Sequence, residues 1–179
     1  GQIRKLVDKD FSGRDWNVAS GMVISGKAGF QIMGDWAKGE FIAANQTAGK
    51  EFGCIAGFGA DSPYMIAGDV FVFPKTGDAA AIAAQQKLAT LMTSPAAQVA
   101  FNNKKGSIPI RTDVDMASMD TCAQAGVTAM KNPARHIANP DALLTPDMAG
   151  AVQDIVSKFW NTNQSVDDTV KALQNALKG

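Results

Sequence analysis

YMIAGDVFVF, residues 64–73, decides the fold, because the run is apolar at nearly every position and is interrupted by a single carboxylate, Asp69. Such a run is typical of a strand buried on both faces, as in the centre of an α/β sheet. The Gly- and Pro-rich break GFGADSP, residues 57–63, precedes it, and Asp78 begins an alanine-rich helix that we expect over residues 79–93. A strand followed by a helix indicates an α/β fold.

Helices outnumber strands in the rest of the chain. Short apolar runs predict strands at residues 28–33 and 52–58, and residues 102–109 are predicted as a loop. Apolar spacing and capping residues predict helices over residues 12–25, 36–47 (capped by Asp35), 117–131, 146–161 (started by Thr145-Pro146) and 166–178 (capped by Ser165), and one that begins at Ser94-Pro95. Two or three strands do not form an independent sheet of this class, so we expect the chain to be a fragment that lacks strands supplied elsewhere.

The charge of the chain is balanced, with 17 Lys and Arg residues against 17 Asp and Glu residues. Nucleic-acid binding normally requires a cluster of basic residues, so we expect no nucleic-acid partner. The hydrophobic content of 46% is too high for a disordered chain, and no apolar run approaches the roughly 18 residues that a membrane span requires. We therefore expect a globular fold.

The sequence carries no signature of catalysis or of metal binding. His136 is the only histidine, it has no second ligand beside it, and the two cysteines stand far apart without CxxC spacing. The motifs of serine hydrolases, zinc proteases, phosphate loops and dinucleotide-binding folds do not occur. We therefore expect neither a metal site nor a cofactor.

Five side chains form a set that suits sugar binding. Trp16 and Trp36 stand where helices are predicted to begin, while Asp69 interrupts the apolar strand. Lys105 and His136 fall in predicted loops. Indole rings stack on the apolar C–H faces of a sugar, and charged side chains hydrogen-bond to its hydroxyl groups. Tryptophans at helix starts are also common core residues, so on the residues alone both interpretations stay open.

Two longer segments resemble the glucose/mannose-type solute-binding proteins of bacterial ABC sugar importers. They are QIMGDWAKGEF, residues 31–41, and KGSIPIRTDVD, residues 105–115, with SPAAQ, residues 94–98, between them. The resemblance runs from about Trp16 to the end of the chain and covers a little under half of a full-length member. It implies a periplasmic binding protein, not an enzyme, that delivers a monosaccharide, glucose above all, to the membrane subunits of an ABC importer.

The resemblance also implies a fold: the mostly helical C-terminal portion of a type II, two-lobed "Venus flytrap" of the α/β class. Residues 1–62 and 114–179 would belong to the C-terminal lobe, and residues 63–113 would cross over to the N-terminal lobe. Partners of the fragment would include the missing N-terminal lobe or a complementary fragment. Because the strand at residues 64–73 would lack its neighbours, we also expect self-association.

The site residues follow from the same resemblance, position by position. Trp16 and Trp36 resemble the family's aromatic contacts on this side of the cleft. Asp69, Lys105 and His136 resemble its polar contacts to sugar hydroxyls. The substrate-binding set implied by the resemblance is therefore the same set of five that suits sugar chemistry.

Two interpretations of Cys54 and Cys122 are open on the residues alone, namely a pair of buried thiols or one disulfide in an exported protein. The two cysteines resemble a pair that is disulfide-bonded in some relatives of the family. The resemblance therefore favours the disulfide.

Two other functions compete with sugar binding. The first is a small, intact α-helical interaction domain, in which both tryptophans are core residues and Asp69 is solvated. The second is an enzyme that acts on glycosides, which would need two carboxylates at a defined separation, and only Asp69 has a defensible position. A tryptophan fluorescence response to monosaccharides would separate sugar binding from the first, and product release from a glycoside would support the second.

Overall fold

The computed structural model describes residues 3–7, 11, 13–59 and 61–178, and it divides the chain into two units. The first unit comprises Gly1–Ser62 and Val70–Arg135, and the second comprises Pro63–Asp69 and His136–Gly179. The break between residues 62 and 63 falls in the Gly- and Pro-rich segment. The assignment of segments to two lobes of a larger protein stays a prediction.

Helices dominate the first unit. Short 3-10 turns precede or connect them at Ile3–Lys5, Asp35–Ala37, Met116–Ser118 and Pro133–Arg135. The α-helices are α1 (Trp16–Ile24), α2 (Lys38–Ala43), α3 (Ala79–Met92), α4 (Pro95–Lys105) and α5 (Thr121–Met130). Helix α2 packs against α1 and α4, and α3 packs against α4. The short helix α2 is therefore the element around which this unit is organised.

The second unit contains two short parallel strands and two helices. The strands are β1 (Tyr64–Ile66) and β2 (His136–Ala138), and a 3-10 turn at Pro140–Ala142 follows them. The helices are α6 (Pro146–Asn161) and α7 (Val166–Ala176), which pack against each other. In the described part of the chain, no helix combines the length and the apolar character needed to cross a bilayer.

Four helix starts confirm the capping residues predicted from the sequence. In each case the side-chain oxygen of the N-cap residue accepts a hydrogen bond from a backbone N–H of the first turn, which would otherwise lack a partner. The caps are Asp78 to Ala80 (2.8 Å), Ser94 to Ala97 (3.3 Å), Thr145 to Met148 (3.3 Å) and Ser165 to Asp168 (3.1 Å). The predicted starts of α3, α4, α6 and α7 are therefore correct.

The long strand predicted at residues 64–73 is wrong beyond its first three residues. Strand β1 pairs with β2 in parallel, with Tyr64 opposite His136 and Ile66 opposite Ala138. Beyond Ile66 the chain has no strand partner among the described residues, and Val70 and Val72 are 82% and 79% exposed. A strand needs a neighbour to satisfy its backbone groups, so apolar composition alone does not make one.

Other predicted boundaries are also corrected. Residues 28–33 and 52–58 are irregular apart from a single bridge between Ala48 and Phe52, so the two strands predicted there are wrong. Helix α1 begins at Trp16 rather than at residue 12, which lies outside the described residues. Asp35 is not the cap predicted for residues 36–47, because it opens a 3-10 turn that passes into α2. The predicted loop at 102–109 starts later, because α4 continues to its left-handed cap at residue 106.

The predicted disulfide is confirmed: Cys54 and Cys122 are bonded to each other, with their Cα atoms 5.3 Å apart. The bond ties the irregular segment after α2 to the first turn of α5. Arg135, which follows α5, donates hydrogen bonds from its guanidinium to the carbonyl oxygens of Ser62 (2.7 Å) and Ala56 (3.0 Å). One covalent bond and one charged side chain thus tie Cys54, Ala56 and Ser62 to α5 and the turn that follows it.

Candidate functional site

The two segments that carry the family resemblance meet where the end of α4 rests on the start of α2. A Cβ atom built on Gly39 would lie 3.0 Å from the carbonyl oxygen of Lys105, and one built on Gly106 would lie 2.7 Å from the backbone nitrogen of Gly39. Gly106 has φ +90°, a conformation that favours glycine. Glycines on both sides therefore let the two backbones touch, and we call this contact the α2–α4 junction.

Trp36 lies in the 3-10 turn that leads into this junction. A Cβ atom on Gly34 would lie 2.1 to 2.5 Å from three carbon atoms of the six-membered ring of Trp36, so the indole covers the Cα of the glycine. The rest of the ring is open, since Trp36 is 38% exposed. Trp36 thus lies in the 3-10 turn that precedes α2 and not at the predicted start of an α-helix, and its indole is not a core side chain.

Asp35 sits between the lysines of the junction. Although the residue as a whole is exposed, atoms crowd its carboxyl group, and this burial raises the pKa of Asp35. The nearby charge of Lys38 opposes the rise, as do N–H groups of Trp36 and Ile108 that hydrogen-bond to the carboxyl, and Lys105 opposes it most weakly. Because the folded-state pKa is raised, ionisation of Asp35 works against folding as the pH rises through that pKa.

A buried ion pair supports the junction from within the unit. The ammonium group of Lys38, whose side chain is 5% exposed, donates to both carboxylate oxygens of Asp120 at 2.8 and 2.7 Å. Asp120 also caps α5 by accepting a hydrogen bond from the backbone N–H of Ala123 at 2.8 Å. Sequence reasoning missed this pair, because nothing local connects two residues 82 positions apart.

Trp16 is anchored to the segment that leads to Trp36. The side-chain amide of Gln31 donates to the carbonyl oxygen of Trp16 at 2.9 Å, and the buried hydroxyl of Ser20 donates to the amide oxygen of Gln31 at 2.7 Å. Trp16 begins α1 and is 41% exposed. With both indoles open to solvent, the alternative of a helical domain whose core contains the two tryptophans loses its support.

Lys105 is the last residue of α4 and does not lie in the predicted loop. A positive charge at this end of a helix is favourable, because the unpaired carbonyl groups there carry partial negative charge. Its ammonium nitrogen lies 5.9 Å from the centroid of the Phe101 ring, within the range of a cation–π contact. Phe101 in turn meets the edge of Phe71 at a centroid distance of 6.4 Å.

Asp69 and His136 belong to the second unit. Asp69 is exposed in the irregular segment after β1, so the prediction that it interrupts a buried strand is wrong. His136 is half-buried and begins β2 opposite Tyr64, so the loop predicted for it is also wrong. Trp16, Trp36 and Lys105 are all residues of the first unit, and a site formed by all five residues stays a prediction.

Metal-ligating side chains do not cluster in the part of the chain that the structure describes. Among the described residues, no three His, Cys, Asp or Glu side chains lie together so that they could surround one ion. The polar groups near the α2–α4 junction instead include the ion pair of Lys38 and Asp120 and the side chains of Asp35 and Lys105. Their chemistry is that of hydrogen bonding and charge.

No protein-family model matches the chain, but curated proteins do. This chain is 39% identical over 99% of its length to a probable sugar-binding periplasmic protein of Brucella suis. It is 41% identical over 95% of its length to a protein of the same name from Mesorhizobium japonicum. It is 29% identical over 94% of its length to an uncharacterised ABC transporter extracellular-binding protein of Pyrococcus horikoshii. The chain spans 43% of the first two relatives and 38% of the third. Nearly all of this chain is therefore similar to a part of proteins named as sugar-binding periplasmic proteins.

Proposed function

We propose that this chain is the C-terminal portion of a periplasmic sugar-binding protein that delivers a monosaccharide, glucose above all, to an ABC importer. The observation that carries the proposal is the α2–α4 junction, in which the two segments that resemble this family, residues 31–41 and 105–115, come into contact. An exposed indole, Trp36, and a lysine, Lys105, belong to these two segments. The names of the homologous proteins support the same function.

Each proposed site residue has a role that sugar chemistry requires. Trp16 and Trp36 offer exposed aromatic faces on which the apolar side of a pyranose stacks. Lys105 donates hydrogen bonds to hydroxyl groups, Asp69 accepts them, and His136 does either according to its tautomer. Charge-assisted hydrogen bonds of this kind are stronger than neutral ones, so they give the site its affinity for a polar ligand.

The proposal extends to the protein around the chain. Residues 1–62 and 114–179 are assigned to a C-terminal lobe and residues 63–113 to the N-terminal lobe, most of which lies outside this sequence. The names of the relatives support a periplasmic location. The name of the Pyrococcus protein, which mentions an ABC transporter, supports transporter subunits as partners. The isolated chain would self-associate through the exposed apolar run of residues 70–73. Light scattering on the isolated chain measures this self-association.

Replacing Asp69 by alanine tests the site. We expect the affinity of the full-length protein for glucose to fall roughly 10- to 150-fold in Asp69→Ala, because a hydrogen bond to a charged partner contributes about 1.5–3 kcal/mol. The fold should be retained, because Asp69 is exposed. Calorimetric titration gives the affinity, and circular dichroism reports the fold.

A matched control is Asp154→Ala, which removes an exposed carboxylate from α6 in the same unit. This variant should bind glucose like the unmodified protein. Equal affinities of Asp69→Ala and Asp154→Ala would remove Asp69 from the site.

A further inference from the structure

The glycine that precedes the Asp-Trp pair has no backbone reason to be a glycine. Gly34 has φ −68° and ψ 162°, an extended conformation that any residue adopts. The turn that it begins is closed by a hydrogen bond from the backbone N–H of Ala37 to the carbonyl oxygen of Gly34 at 3.1 Å. Alanine would meet both requirements, so the need for glycine must come from what lies over its Cα atom.

The indole of Trp36 lies there. A Cβ atom on Gly34 would be 2.1 Å from Cζ3, 2.3 Å from Cη2 and 2.5 Å from Cε3 of the indole, whereas real Cβ atoms essentially never approach another heavy atom within 3.0 Å. The six-membered ring thus occupies the space that every other amino acid would fill with its side chain. Any substitution at this position has to move the ring.

We propose that Gly34 is a positioning residue that sets the orientation of the Trp36 indole and thereby the ring face on which the sugar stacks. The inference rests on the proposed function for its effect on binding, but the contact between Gly34 and Trp36 does not depend on that function. The residue that follows Trp36, Ala37, is buried, so the backbone that carries the indole is packed against the unit. A tryptophan side chain has only two rotatable bonds. The contact of the ring with Gly34 and the packed backbone therefore restrict the orientations that the indole can adopt.

Orientation matters because stacking is directional. Aromatic rings interact well with an apolar face only in particular relative placements, and a tilt of the indole separates the two surfaces. The backbone of Lys105 would not follow such a tilt, since it is packed against Gly39. A displaced indole would therefore lose its register with the hydrogen-bonding groups.

Gly34→Ala in the full-length protein tests the proposal. We expect the indole N–H signal of Trp36 in a nuclear magnetic resonance spectrum to shift, and the affinity for glucose to fall by roughly tenfold or more. The midpoint of urea unfolding should stay nearly unchanged, because the backbone at residue 34 accepts alanine and the partly exposed ring of Trp36 is displaced towards solvent rather than into the core. Gly21→Ala in α1 is the matched control, since no atom lies within 4 Å of the added Cβ and the helix accepts alanine.

A second background separates positioning from a general structural effect. Trp36→Phe keeps an aromatic ring but lacks the ring carbons that lie over residue 34, and it also assigns the indole signal of Trp36. In this background Gly34→Ala should have no further effect on affinity. An unchanged indole signal in Gly34→Ala would overturn the proposal, and so would a loss of affinity that persists in the Trp36→Phe background.

The same experiment keeps the two proposals apart. If the unmodified protein binds no monosaccharide, the proposed function fails, and the indole signal alone then decides whether Gly34 sets the orientation of Trp36. If glucose binds and the indole of Gly34→Ala does not move, the proposed function stands and the positioning role fails.

Discussion

Asp120→Ala is expected to lower the free energy of unfolding by about 3–4 kcal/mol. The substitution leaves the ammonium group of Lys38 buried without its carboxylate, and breaking a buried pair by removing one partner typically costs about 3–5 kcal/mol. The loss of the cap on α5 adds about 1 kcal/mol. The contribution of the pair stays near the lower end of its range, because the Asp120 side chain is itself 25% exposed, so the two effects together come to about 4 kcal/mol. Urea unfolding followed by circular dichroism measures the change.

Two further variants identify the cause of that loss. Asp113→Ala removes the carboxylate of an exposed pair with Arg111, and such surface pairs contribute about 0–1 kcal/mol. Lys38→Met combined with Asp120→Asn removes both charges and keeps an acceptor for the α5 cap, so it should regain much of the stability that Asp120→Ala loses. If Asp120→Ala is no more destabilised than Asp113→Ala, the ion pair does not support the α2–α4 junction.

Removal of the disulfide should have an effect of similar size. In the chain-entropy model, a crosslink that closes a loop of 68 residues stabilises the folded state by about 4 kcal/mol. The loop contains β1, α3 and α4, and the bond also anchors the segment before it to α5. We expect the double variant Cys54→Ser/Cys122→Ser to unfold at a much lower urea concentration than the unmodified protein.

Reductant supplies the control for the disulfide. Added reductant should lower the unfolding midpoint of the unmodified protein towards that of the double variant, and it should leave the double variant itself unchanged. Alkylation and intact-mass measurement should reveal two thiols only after reduction. Two free thiols in protein purified from the periplasm, or equal stability of the two proteins, would contradict the prediction.

Local features of the fold were predictable from the sequence. The caps at Asp78, Ser94, Thr145 and Ser165 act over two or three residues, so both partners of each hydrogen bond stand next to each other in the chain. The left-handed glycine that ends α4 is also a local signal, but the loop predicted from residue 102 did not make use of it. Short-range chemistry of this kind does not depend on the rest of the protein.

Strands were not predictable in the same way. The runs at residues 28–33, 52–58 and 67–73 have strand-like composition, yet they form no ladder among the described residues. Pairing is a property of two segments, and β1 finds its partner some 70 positions further along the chain, at β2. Composition indicates which segments are able to pair and does not supply the partner.

In the candidate site, too, local features were more predictable from the sequence than contacts between distant residues. The helix starts near Trp16 and Trp36 were predictable only to within a few residues, because Asp15 makes no capping hydrogen bond and Asp35 lies inside the 3-10 turn. The pair of Lys38 and Asp120 was not predictable, because it joins residues far apart in sequence. Gly34 is intermediate: its place two residues before Trp36 is visible in the sequence, but only the structure reveals that the indole covers it.

Calorimetric titration of glucose into the full-length protein tests the central claim most directly. The account predicts saturable binding at one site per chain, a change in tryptophan fluorescence on binding, and a fall in affinity of roughly 10- to 150-fold in Asp69→Ala. Absence of saturable binding by glucose and by its epimers mannose and galactose, in a protein that is folded by circular dichroism, would contradict it.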